Sequence, residues 1–263
     1  MPIQQSQIKM FHKTTVLLFL LCLVSITILK AEKPSKRYIW SKSGILVYAS
    51  SSHQGKAIDT LAYGFVIENF EQLSKLEKTD LIFIPRHEED NPEINQSYAH
   101  QSEWYRIGYP GGKGYIKNTY LMPIPPPLVY DSYVSISEYL GQFANVVSEE
   151  HHLHTEEFCS HDKYAFSTGA YHFFTDLGPC ESCGQIITET YLPGLDVHQG
   201  YLFVMILHHI TLDISSPSDD PYQSGMINFY PQTDGSLKFS TDYTQYTIAT
   251  QQGGILIHED TSM

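Results

Sequence analysis

Trp104-Tyr105-Arg106-Ile107-Gly108-Tyr109-Pro110-Gly111-Gly112-Lys113-Gly114-Tyr115-Ile116 carries the clearest fold signal in the chain. Trp104 to Ile107 is aromatic and β-branched, which suits a pleated strand, and Pro110 to Gly114 is a tight connection. Its three glycines admit the positive φ that other residues resist. Tyr115-Ile116 resumes the strand pattern, and Tyr120-Leu121-Met122 follows. Upstream, Gly44-Ile45-Leu46-Val47-Tyr48, Ala62-Tyr63-Gly64-Phe65-Val66-Ile67 and Leu81-Ile82-Phe83-Ile84 read as further short strands. Many short strands with few helical stretches predict a small β-barrel over residues 36–122.

The order of Val47-Tyr48-Ala49, Leu61-x-Tyr63-Gly64-x-Val66, Trp104-Tyr105-Arg106-Ile107, Gly114-Tyr115-Ile116 and Tyr120-Leu121 resembles the bacterial SH3-like domain. In that family the Trp strand and the Gly-Tyr-hydrophobic strand form a hairpin, and the final Tyr-Leu closes the barrel in a short helical turn. The resemblance covers about 85 residues, a third of the chain. It implies recognition of cell-wall peptide or of another envelope protein through aromatic side chains, with Tyr48, Tyr63, Trp104 and Tyr115 as the binding candidates. The same rings also serve to fill a small barrel. The chain departs from the family between Leu73 and Ser102, which is longer than a usual hairpin connection and includes the polar run Arg86 to Glu93. A long insertion there would reshape any groove inferred from the family.

Pro123-Ile124-Pro125-Pro126-Pro127 follows the barrel segment and predicts a semi-rigid linker, residues 123–127. Residues 128–263 then predict an acidic α+β domain. Apolar groups at 136, 139, 140, 143, 146 and 147 have helical spacing over Val134 to Val147, with Ser135 or Ser137 as the cap. Ala165-Phe166 and Tyr171 to Phe174 read as a strand pair, Gly178 to Gly184 as a turn, and Gln185 to Tyr191 as the returning strand. Asp196 caps an expected helix from Val197 to Ile210. Met226 to Tyr230, Leu237 to Ser240, Tyr243 to Ile248 and Gly254 to His258 read as a meander. The expected fold class is therefore mixed β and α+β: an N-terminal SH3-like small β-barrel followed by an α+β C-terminal domain.

Charge sorts the function classes. The 263 residues carry 16 Lys plus Arg against 29 Asp plus Glu, a formal net charge of −13. Residues 128–263 alone hold 2 basic and 18 acidic side chains, and no Arg occurs after Arg106. Such a surface repels phosphates, so nucleic acid is excluded as a partner. With 42% apolar and 17% charged residues the composition is that of a globular protein.

The first residues supply Lys9, His12 and Lys13 without an acid, and Val16 to Leu29 is an almost uninterrupted apolar run that stops at Lys30. This predicts a signal peptide over 1–31 with cleavage after Ala31, export to the periplasm or beyond, and no stable membrane span after cleavage. Disulfides can form in that compartment. Cys180-x-x-Cys183 lies among turn residues, which favours a disulfide clip or plain thiols over a redox pair. A metal alternative would recruit Cys159 with His154 or His161, and His151-His152-Leu153-His154 between acidic pairs offers further imidazoles. Ligand spacing of a recognised metal motif is lacking, so no metal and no cofactor are expected, and the His run reads as a solvated loop. His208-His209, at the end of the expected helix, suits the C-terminal dipole.

No catalytic residue is assigned. Gly-x-Ser-x-Gly and His-Glu-x-x-His are missing, and Glu157-Phe158-Cys159-Ser160-His161 lacks the glycine-rich setting of a papain-like nucleophile. The sequence thus leans toward a non-enzymatic exported binding protein of the cell envelope. The alternatives are a cell-wall or peptide hydrolase with its site in the C-terminal domain, and a periplasmic metal-binding protein.

Overall fold

A computed structural model describes residues 36–52, 54–83, 98–128, 134–154, 159–177, 184–210, 228–241 and 243–262. The signal segment, the run Arg86 to Glu93 and Cys180-x-x-Cys183 lie outside the described residues. β-Structure dominates the rest, with two α-helices among the described residues.

The first part of the chain forms two sheets. Strands β1 (Arg37–Ile39), β4 (Val66–Ile67) and β8 (Leu121–Met122) make a three-stranded sheet in the order β4-β1-β8. Strands β2 (Ile45–Tyr48), β3 (Ala57–Leu61), β5 (Asn69–Phe83), β6 (Tyr98–Tyr109) and β7 (Gly112–Lys117) make a five-stranded sheet in the order β3-β2-β7-β6-β5. The expected barrel does not close: among the described residues these remain two open sheets. The predicted hairpin is present as β6–β7, with Trp104 opposite Lys117 and Ile107 opposite Gly114. Gly114 is required by contact, since a Cβ there would lie 2.2 Å from Val47 Cγ1. Ile39, Val47, Ile67, Ile107 and Ile116 form the core of this part.

The second part is one antiparallel sheet of eight strands with two helices. Helix α1 (Ile136–Gly141) precedes β9 (Val146–His154), β10 (Cys159–Phe166), β11 (Tyr171–Asp176) and β12 (Gln185–Pro193). Helix α2 (Val197–Leu207) precedes β13 (Asn228–Pro231), β14 (Leu237–Ser240), β15 (Thr244–Gln251) and β16 (Gly254–Ser262). The strand order β13-β14-β15-β16-β12-β11-β10-β9 shows that the connectivity repeats. Each helix leads a four-strand meander, and the two last strands, β12 and β16, pair along the centre.

Both helices start on capping boxes, Ser135 with Glu138 and Asp196 with Gln199, which satisfy otherwise orphaned backbone donors. The expected helix over Val134 to Val147 ends early. Gly141 is a poor helix former, and the β-branched pair Val146-Val147 opens strand β9 instead. Consequently His151 to His154 is an edge strand paired with β10, not a loop. Helix α2 is apolar nearly all round and correspondingly buried. It lies so close to the sheet that a Cβ on Gly200 would sit 2.3 Å from Ile255 Cδ1.

Residues 36–263 form one compact unit. Trp40 and Met122, from the first part, belong to the core of the second, where the Trp40 ring stacks on Phe203 and meets Tyr139 edge-on. The proline run is bound to this core through its carbonyls, which prolines keep although they lack N–H donors. Trp40 Nε1 donates to Ile124 O at 2.9 Å, Tyr139 Oη to Pro125 O, and Tyr63 Oη to Pro127 O at 3.2 Å. The first turn of α2 adds His198 Nε2 on Thr119 O at 2.8 Å and Gln199 Nε2 donating to Leu121 O. Among the described residues no helix is long and apolar enough to cross a membrane.

Candidate functional site

Strands alternate their side chains between faces, so ladder register decides which residues meet. Across the large sheet Tyr164, His172, Thr190 and Ile257 fall in one row. The neighbouring row on the same face is His151, Asp162, Phe174, Thr188, Glu259 and Tyr246. Above these rows opens a cleft of about 460 Å³, lined also by Ser135 and Ser137 of the α1 start and by His208.

His208 is the C-cap of α2, and its Nε2 lies 3.2 Å from Glu259 Oε1. Only 19% of the His208 side chain and 8% of the Glu259 side chain are exposed. Burial alone would lower the His208 pKa, but the charge and hydrogen bond of Glu259 outweigh it and hold the imidazole above its ordinary value. Burial would likewise raise Glu259, yet His208, with a smaller contribution from His172, keeps the carboxyl below its ordinary value. The two therefore form an ion pair inside the cleft wall.

His172 has the opposite fate. Its Nδ1 engages Thr190 Oγ1 at 2.9 Å in a buried setting, leaving Nε2 as its other polar atom. Desolvation pushes its pKa down to about 4, with His208 adding to the shift and Glu259 opposing it. At neutral pH this ring is an uncharged donor–acceptor lining the cleft.

At the rim, His151 sits between two carboxylates, Nδ1 at 2.7 Å from Asp162 Oδ1 and Nε2 at 2.7 Å from Glu149 Oε1. Both ring nitrogens must donate, which requires the imidazolium. Its pKa is accordingly raised, first by the Asp162 hydrogen bond and then by that of Glu149.

The sequence-predicted binding rings are placed differently. Tyr48, Trp104 and Tyr115 share one face of the five-stranded sheet by register, while Tyr63 lies on the turn before β4 with its hydroxyl tied to Pro127. Trp104 is fully buried, with Tyr48 meeting it edge-on at 5.4 Å. Tyr48 and Tyr115 are half-buried. Of the metal-ligand candidates, His151 and His152 alternate to opposite faces of β9, and His161 stands opposite His152 with its Nδ1 at 3.1 Å from Thr175 Oγ1. Among the described residues no three His, Cys, Asp or Glu side chains converge as a metal would need. Cys180 and Cys183 lie outside the described residues.

His172, Glu259, Thr188 and Asp162 were not singled out from the sequence. For Thr188 and Glu259 the signal is a polar residue at every second position of the strand, Thr188-x-Thr190 and Glu259-x-Thr261. Comparison with known families, curated proteins and solved structures finds no match to this chain.

Proposed function

We propose that this chain is an exported binding protein of the cell envelope and that its ligand seats in the cleft on the large sheet. One observation carries the reading: His172, His208 and Glu259, all largely buried, converge on a single cleft. Burying ionisable groups costs free energy that aliphatic side chains would avoid, so their presence in a cleft points to a ligand. A cleft of this size with a few convergent polar groups is where small ligands bind.

The envelope assignment is supported by the basic start and apolar run at Lys9 to Leu29. The SH3-like resemblance is supported by the order of the β6–β7 hairpin, the 3₁₀ turn at Asn118–Tyr120 and the short strand β8. In this reading the first part of the chain buttresses the second, because its Trp40 and Met122 enter the core of the second.

Soluble peptidoglycan fragments titrated into the purified protein, with the histidine Cε1–H signals followed by NMR, provide the test. Saturable shifts of the His172 and His208 signals are expected. Unshifted signals at saturating fragment would refute the cleft as the ligand site. Consumption of the fragments would move the same cleft to the hydrolase class.

A further inference from the structure

We infer that the cleft takes a neutral, polyhydroxylated ligand of the saccharide class, an inference that rests on the cleft being the ligand site. Its charges are already matched. Glu259 is neutralised by His208 inside the wall, and Asp162 by His151 at the rim. A cation entering would have to compete with an imidazolium for either carboxylate. An anion would find both imidazolium rings engaged and would approach against the −16 carried by residues 128–263, where 2 basic side chains face 18 acidic ones. A charged ligand thus loses its water without gaining a free counter-charge.

A purely apolar ligand fits no better. It would cover His172 Nε2 and the Thr188 hydroxyl without offering either a hydrogen bond, which is costly in a buried site. What remains is a set of neutral groups with hydrogen-bonding capacity to spare: His172 Nε2, the Thr188 hydroxyl, and the Ser137 hydroxyl, which shares one hydrogen bond with Ser135 Oγ at 3.3 Å. Tyr164 stands directly across the ladder from His172, Phe174 is its second neighbour along β11, and both line the cleft, so aromatic rings flank the polar centre. A sugar ring is built to the same plan, with hydroxyls around its edge and C–H groups on its faces. Aromatic planes take the faces, and hydroxyl and imidazole groups take the edge.

The experiment uses the purified protein and a panel of probes: chitobiose and maltose as neutral disaccharides, arginine methyl ester as a cation and citrate as an anion. Histidine NMR signals report occupancy of the cleft. Expected is a saturable shift of the His172 signal by at least one disaccharide, with none from the charged probes. Thr188→Val, which keeps the side-chain shape, and Tyr164→Ala should each weaken that binding tenfold or more while the thermal midpoint of Thr188→Val stays within a few degrees of the parent. Shifts from a charged probe but from neither disaccharide would overturn the saccharide assignment and leave the cleft as a ligand site. Silence of His172 toward these probes and toward peptidoglycan fragments would overturn both.

Discussion

His208 Nε2 reaches Glu259 Oε1 at 3.2 Å, so the end of helix α2 is tied electrostatically to the central strand pair it covers. Glu259 contributes stability that is full above its ordinary value of 4.5 and lost as pH falls through its lowered one. His208 contributes stability that is full below its ordinary value of 6.5 and lost as pH rises through its raised one. The pair therefore stabilises most between these two ordinary values. Glu259→Gln at pH 5.5 is expected to cost about 3 kcal/mol, because it strands a buried imidazolium. Adding His208→Gln should restore much of the loss. Denaturant titration of the single and double variants measures both.

His172 works against the fold in acid. Its pKa of about 4 lies below the ordinary 6.5, so its contribution is full above 6.5 and lost as pH falls through 4. The difference amounts to about 3 kcal/mol at 1.36 kcal/mol per unit. His172→Gln should flatten the stability profile between these pH values, and an NMR titration of the parent should place its midpoint far below that of an exposed histidine.

Gly200 is a packing requirement within a helix. Alanine is intrinsically better there by about 1 kcal/mol, yet its Cβ would meet Ile255 Cδ1 at 2.3 Å and Ile248 Cγ2 at 2.9 Å, both on fully buried side chains. Gly200→Ala is expected to destabilise by about 1–2 kcal/mol net. Ile255→Val in the same chain should recover part of that by removing the nearer methyl. Thermal unfolding of the three variants decides it.

Trp40 couples the first part of the chain to the second. Trp40→Ala removes a fully buried ring, its contact with Phe203 and the hydrogen bond to Ile124 O. A loss of about 3–5 kcal/mol is expected. Hydrogen exchange should show protection falling in both β1 and β12. A fall confined to β1 would mean that the ring serves only its own sheet.

Local signals in the sequence located the elements well where they were sharp. Asp196 before an unbroken apolar run marks α2 because a capping side chain and a buried face act within one turn. The glycines around Lys113 mark the β6–β7 hairpin for the same reason. The helix expected through Val147 failed because spacing of apolar residues cannot weigh Gly141 against the ladder partners that β10 offers to Val146. The cleft was harder still. His172, Thr188 and Glu259 come from three strands and His208 from a helix end, and only ladder register brings them together. The buried Trp40 was missed because its partners, Tyr139 and Phe203, are about 100 and 160 positions away in the chain.

Strand β9, nine residues long, is the outer strand at one margin of the eight-stranded sheet, and the four-residue β13 is at the other. Backbone groups on an open margin can recruit a foreign strand, and Val147 and Leu153 on β9 are 64% and 72% exposed. Between them stand Glu149, Glu150 and His151, whose charge a docking strand would have to desolvate. The molecule is thus lopsided toward strand addition. Its long margin carries its own gatekeepers, while its short one offers a docking strand only four residues of ladder.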